Sequence, residues 1–167
     1  SKCDPPFIYD QNLSCLMFAD DIVLFSQSPD GLQNAINKLS TYCTKWQLNI
    51  NISKTKVIVF NKGGHLLSKF RFFSMNEANN RTEIEVVQSY TYLGITFSCA
   101  GTYKLALDNI HDKALKSLHF FKQVDLRNNI SLAIKLFDSL IAPILNYGSE
   151  AWAPFLLNKV TNSNILP

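Results

Sequence analysis

Asp20 and Asp21 stand side by side between Leu13–Phe18 and Ile22–Phe25, two apolar stretches suited to short strands. Asp is disfavoured in strands and costly to bury unless it is paired or bound to a cation. Along a regular strand neighbouring side chains point to opposite faces, so the two carboxylates converge only if the chain turns there. The pattern predicts a β-hairpin with Asp20–Asp21 at its tip and Leu16, Phe18, Val23 or Phe25 facing the helix that follows. Such a tip offers hard oxygen ligands to a divalent cation, Mg²⁺ or Mn²⁺. Paired carboxylates of this kind suit two-metal phosphoryl or nucleotidyl transfer, where the ions activate the attacking oxygen and stabilise the leaving one. The competing reading is an Asp-Asp turn without chemistry, because Asp forms turns readily.

The elements that must position this tip are legible on both sides of it. Ser28-Pro29-Asp30 is a helix start: Ser as N-cap, Pro in the first turn, and Asp near the positive end of the helix dipole. Leu32, Ile36, Leu39, Cys43 and Trp46 then form one apolar stripe, which predicts an amphipathic helix ending near Trp46 with that Trp in the core. Phe18 is likewise expected to pack rather than to touch a substrate. Leu48, Ile50 and Ile52 alternate with polar residues ahead of the run Val57–Phe60, and Lys62-Gly63-Gly64 breaks it. Phe70–Phe73 and Ile84–Val87 read as strands around a polar turn. Ser89–Phe97 is strand-rich, with Gly94 marking a bulge or a close backbone approach. Beyond Gly101 the period turns helical through Leu107, Ile110, Ala114, Leu118 and Phe121, then Leu132, Leu136 and Leu140, and Pro143 is placed to kink or end the second segment.

The expected fold class is α+β: a hairpin, a covering helix and a small sheet, followed by helices. The composition shift near Ala100 divides the chain into residues 1–100, a helical region 101–157 and a tail 158–167. With 47% apolar and 17% charged residues the chain belongs with globular rather than disordered sequences, and a net charge of +3 permits nucleic-acid contact without arguing for it. Four scattered cysteines lack zinc or redox spacing, and Cys15 and Cys43 read as small core residues. His65, His111 and His119 form no ligand pattern. An intracellular, reduced setting without a membrane partner is the expectation, with no signal peptide and no apolar run of transmembrane length. Nucleus and cytoplasm are not distinguished.

Phe18-Ala19-Asp20-Asp21 between two apolar strands resembles the aromatic-Ala-Asp-Asp core motif of reverse transcriptases, particularly those of non-LTR retrotransposons. Asp4-Pro5-Pro6 and Leu13–Met17 are similar to the lead-in of the same family. Tyr42–Asn51 followed by Lys54–Phe60 resembles its helix-then-strand motif, and Tyr92-Leu93-Gly94-Ile95 its primer grip. Leu136–Leu140, Pro143-Ile144-Leu145 and Tyr147–Trp152 resemble its helical thumb. The resemblance implies the C-terminal part of a polymerase palm plus a thumb, with Mg²⁺ or Mn²⁺ on Asp20 and Asp21. An RNA template, a DNA primer and dNTP are the implied ligands of the full-length parent.

Within that frame Lys54 or Lys56 is placed to set a cation near the leaving pyrophosphate and donate a proton, the sequence not deciding between them. A Lys beside a turn capped by Asn51 is the plain alternative. Gly94 lets backbone approach a primer phosphate. Two-metal transfer needs a further carboxylate from a separate strand, which the family carries upstream of the Asp pair. Asp4 and Asp10 sit in loop-like contexts and do not match it. The expectation is therefore a reverse transcriptase fragment, inactive alone and prone to self-association through an uncovered palm face. The rival expectation is a non-catalytic nucleic-acid-binding or protein-interaction relic of a retrotransposon.

Overall fold

A computed structural model describes residues 2–67, 69–75, 80–121 and 129–162. The chain is α+β and groups into two compact units. The first comprises Ser1–Val59 and Leu66–Val87, the second Phe60–His65 and Gln88–Pro167.

The first unit opens with a small antiparallel ribbon, β1 (Phe7–Ile8) and β2 (Gln11–Asn12), which the hydropathy pattern does not announce. Its two-residue loop, Tyr9–Asp10, has positive φ at both positions, the signature of the tight hairpin turns whose twist matches the strands. The expected carboxylate hairpin follows as β3 (Cys15–Phe18) and β4 (Asp21–Leu24), and then helix α1 (Pro29–Lys45). Ser28 caps α1 as its sequence requires, its Oγ accepting from Gly31 N at 3.1 Å. A three-stranded sheet completes the unit in the order β5 (Lys56–Val57), β7 (Arg81–Val86), β6 (Phe72–Met75), with β5 parallel to β7 and β6 antiparallel to it.

Helix α1 covers this sheet through Ile36, which joins Val57, Phe72 and Ile84 in a buried cluster flanked by Leu24, Leu32, Ile52 and Val86. Burying each such side chain contributes about 1.5–3 kcal/mol. Gln33 adds a polar tie. Its Nε2 donates to Phe73 O at 2.7 Å and its Oε1 accepts from Phe73 N at 2.9 Å, so a side-chain amide substitutes for a neighbouring strand along β6. Ser40 and Ser74 pair at 3.1 Å beside it, both buried.

The apolar stripe of α1 holds for Ile36 and Cys43 but fails at its end, because the helix stops at Lys45 and Trp46 is 59% exposed. Its indole lies beside the Tyr42 ring on the outer surface, with centroids 6.2 Å apart. Leu48–Ile50 forms no strand, since the chain instead makes a turn over Asn51–Thr55 before β5.

In the second unit, β8 (Ser89–Tyr92) and β9 (Ile95–Ser98) form an antiparallel hairpin with α2 (Lys104–Phe121) packed on β9. The strands therefore group with the helices, and the composition shift at residue 100 falls inside this unit. Ala106 and Ala114 of α2 are buried, their small side chains permitting close packing. Next come α3 (Ile130–Leu136), a π-helical segment Phe137–Ile141, α4 (Ala142–Asn146) and α5 (Ser149–Asn162). The widening precedes Pro143, where a helix loses a donor and meets the ring, and Ala142 N bonds back to Phe137 O. The helical run Ile130–Asn146 then meets Ser149–Leu157 at 73° through Tyr147–Gly148. Helix α5 continues to Asn162, past the expected start of the tail at 158; the rest of that tail lies outside the described residues. No single described helix is long and apolar enough to cross a membrane, although that bent pair has the length and composition.

Candidate functional site

The β3–β4 register pairs Phe18 with Asp21, leaving Ala19 and Asp20 as the whole loop. Asp20 sits in the turn and Asp21 opens β4, and both are exposed. The reversal passes through Ala19 at φ +52°. A left-handed backbone costs an L-residue about 1–2 kcal/mol, so an Ala here stores strain beside the two carboxylates. The same turn frees the pair from strand alternation, which would have sent the two side chains to opposite faces.

The two faces of the hairpin are the reverse of those expected. Pairing puts Leu16, Phe18, Asp21 and Val23 on one face and Cys15, Met17, Ile22 and Leu24 on the other. Leu24 is the residue that packs on the core, while Leu16 is 47% and Phe18 62% exposed. Phe18 is thus not a core residue. Met17 is also exposed, at 71%, so the outer half of the hairpin is apolar and uncovered on both faces.

The base of the hairpin is held by Asp4, which sequence reasoning set aside as a loop residue. Ser26 Oγ donates to the Asp4 carboxylate, and Gln27 N donates to Asp4 O at 3.0 Å. The hydroxyls of Ser26 and then Ser28 hold the Asp4 carboxyl below the ordinary carboxylate range. A Cβ on Gly31 would fall 1.6 Å from Asp4 Oδ1, so only Gly admits this contact. Asp4 is therefore an anchor at the start of α1. The nearest signal for it was the glycine two residues into a capped helix, where Gly is otherwise unfavourable.

Lys54 lies in a turn organised by Asn51, whose Oδ1 accepts from Lys54 N at 3.2 Å and from Ser53 Oγ at 2.7 Å. Lys56 is committed elsewhere: its Nζ pairs with Glu85 Oε2 at 2.7 Å across the β5–β7 ladder. Tyr92-Leu93-Gly94-Ile95 forms the end of the β8–β9 hairpin, with Tyr92 paired to Ile95. Gly94 is not a bulge. Leu93 and Gly94 are the two loop residues, both at positive φ (+46° and +79°). Asp20, Asp21 and Lys54 belong to the first unit, and Tyr92–Ile95 to the second.

Residues 3–97 match the family model of reverse transcriptase (RNA-dependent DNA polymerase). The chain belongs to this reverse transcriptase family. The match contains the Asp20–Asp21 turn, Lys54 and the Leu93–Gly94 loop, and it ends within β9. Over 156 residues the chain is 32% identical to a putative uncharacterized transposon-derived protein of Caenorhabditis elegans, covering 93% of this chain and 53% of that protein. It thus spans about half the length of this relative. No solved structure matches.

Reverse transcriptases use divalent metal ions, a nucleic-acid template and nucleotide substrates. The donor type at the hairpin tip fits such an ion, because adjacent exposed carboxylates are the hard oxygens that Mg²⁺ and Mn²⁺ prefer. Among the described residues no group of three or more His, Cys, Asp or Glu side chains comes together as a metal cage.

Proposed function

We propose that this chain carries the C-terminal palm and the start of the thumb of an RNA-directed DNA polymerase from a non-LTR retrotransposon. Asp20 and Asp21 act as the metal-holding carboxylates. The observation that carries the reading is the two-residue turn that brings both carboxylates to an exposed tip inside the family match. Divalent cations bound there would supply charge neutralisation at the primer 3′ oxygen and at the leaving pyrophosphate. Lys54, in the turn ahead of β5, is the general acid. As the 3′ hydroxyl gives up its proton to solvent, its oxygen bonds to the α-phosphorus, the bond to the bridging oxygen breaks, and Lys54 gives its own proton to the departing pyrophosphate. Tyr92–Ile95 contacts the primer backbone, and a further carboxylate from a preceding segment completes the site.

The test is incorporation of dNTP on an RNA template and DNA primer with Mg²⁺ or Mn²⁺. Residues 1–167 alone should incorporate nothing. The same chain joined to a preceding segment that bears the further carboxylate should extend the primer, and Asp20→Ala or Asp21→Ala should abolish extension. Activity of the joined protein that survives Asp21→Ala would overturn the assignment. The partial ligand set favours a second reading, a non-catalytic nucleic-acid-binding or protein-interaction relic. Salt-sensitive duplex binding by a joined protein that never incorporates nucleotide would support that reading instead.

A further inference from the structure

The corner between α4 and α5 grips the β8–β9 loop. Tyr147 Oη donates to Leu93 O at 2.7 Å. Its ring is close enough to Gly94 that an added Cβ would lie 3.0 Å from Cε1 and 3.3 Å from Oη. The adjoining Gly148, at φ +63°, allows the approach from the other side, since a Cβ there would fall 2.4 Å from Ile95 Cδ1. Trp152 Nε1 donates to Tyr147 O at 2.9 Å and fixes the corner from within α5. The Tyr147 phenol thus holds the Leu93–Gly94 peptide, Trp152 holds the Tyr147 backbone, and Gly94 and Gly148 make room for the approach.

That peptide, Leu93–Gly94, is trans. In a trans peptide the N–H points opposite to the C=O, so a phenol that fixes Leu93 O also fixes the direction of Gly94 N–H, away from Tyr147. We propose that Tyr147 is a positioning residue that aims the Gly94 amide at a backbone phosphate of the primer in an RNA–DNA hybrid. This rests on the reading of Tyr92–Ile95 as a primer contact and adds the residue that orients it. Without the phenol the carbonyl and amide of this loop are free to exchange directions, and an oxygen turned toward a phosphate repels it.

The experiment is a titration of the ¹⁵N-labelled chain with a short RNA–DNA hybrid, following the Gly94 amide and the overall affinity at several salt concentrations. In the natural sequence the Gly94 amide should shift on binding. Tyr147→Phe keeps the ring against Gly94 but removes the donor. It should weaken binding roughly 3- to 10-fold, the scale of one net hydrogen bond. The salt slope should stay unchanged because no cation is lost. Trp152→Phe, which frees only the corner backbone, should give a smaller loss of the same sign and serves if Tyr147→Phe fails to fold. A Gly94 shift with undiminished affinity in both variants overturns the role of Tyr147 and leaves the primer contact standing. No Gly94 shift in the natural sequence overturns the primer contact and the proposal with it.

Discussion

Two hairpins of this chain have the same construction and opposite support. Both β3–β4 and β8–β9 pair four residues with four across a two-residue loop. The loop Leu93–Gly94 is held by Tyr147, and the strands behind it by a Thr91–Thr96 hydroxyl pair at 2.9 Å and by Asn109 Nδ2 donating to Thr96 Oγ1 at 2.9 Å. The loop Ala19–Asp20 is fixed from below, through Leu24 in the core and the Asp4–Ser26 contact, while Met17 and Phe18 near the tip are exposed. An isolated two-stranded ribbon is marginal in water. The Leu93–Gly94 loop is thus held at its tip by a side chain of its own unit, whereas the Ala19–Asp20 loop is, among the described residues, held only through the base of its strands.

The largest way to break the contrast is Phe72→Ala. Phe72 is 2% exposed at the centre of the first unit, and its truncation should cost about 3–5 kcal/mol. Hydrogen exchange should show protection lost in β6, β7 and the base of β3–β4, with β8–β9 least affected. Equal loss in both hairpins would mean that the supports are shared.

Substitutions at the two loops should differ in sign. Gly94→Ala puts a Cβ on a left-handed backbone against the Tyr147 ring, so urea unfolding should show a loss of about 1–2 kcal/mol or more. Ala19→Gly relieves a left-handed backbone at an exposed position, and should gain up to about 1 kcal/mol after the extra chain entropy of Gly. Destabilisation by Ala19→Gly would remove the claim of strain at the carboxylate tip.

The uncovered tip should also associate. Met17, Phe18 and Ile22 are exposed around an unpaired strand edge, which promotes contact between copies. Sedimentation at about 10–100 μM should show self-association that Phe18→Lys reduces. A clean monomer would show that the edge is protected.

The smallest effect concerns pH. Hydrogen bonds hold the Asp4 carboxyl below its unfolded value, so its contribution is present above that value, about 3.9, and is lost as pH falls through the lower folded one. Protection at the base of β3–β4 should decline over that acidic window in the natural sequence. In Asp4→Asn the decline should be absent, because the group no longer titrates.

These differences also show what the sequence could carry. Two charges between apolar runs located the β3–β4 turn, and Ser28-Pro29 located the start of α1, because each signal is local chemistry. Which face of the hairpin turns inward was not legible, since Cys15, Met17, Ile22 and Leu24 are as apolar as Leu16, Phe18 and Val23. Trp46 extended a helical stripe on paper, but the helix ended one residue before it. Leu93–Gly94 lacks the Asn-Gly or Asp-Gly signature, so Gly94 read as a bulge or a close backbone approach; it is a hairpin-loop residue, and Tyr147 does approach it closely. The Tyr147 contact spans more than fifty residues and leaves no periodic trace.

We propose that Asp20 and Asp21 together form a divalent-cation tip with an incomplete ligand set. Mn²⁺ titration of the ¹⁵N-labelled chain tests it most directly, because a paramagnetic ion broadens the amides nearest to it. Broadening should be confined to residues around Ala19–Ile22, with a dissociation constant of about millimolar order or weaker, and should be abolished by Asp20→Asn or Asp21→Asn. Broadening centred elsewhere would contradict the site. Micromolar binding at the tip would contradict the incomplete set.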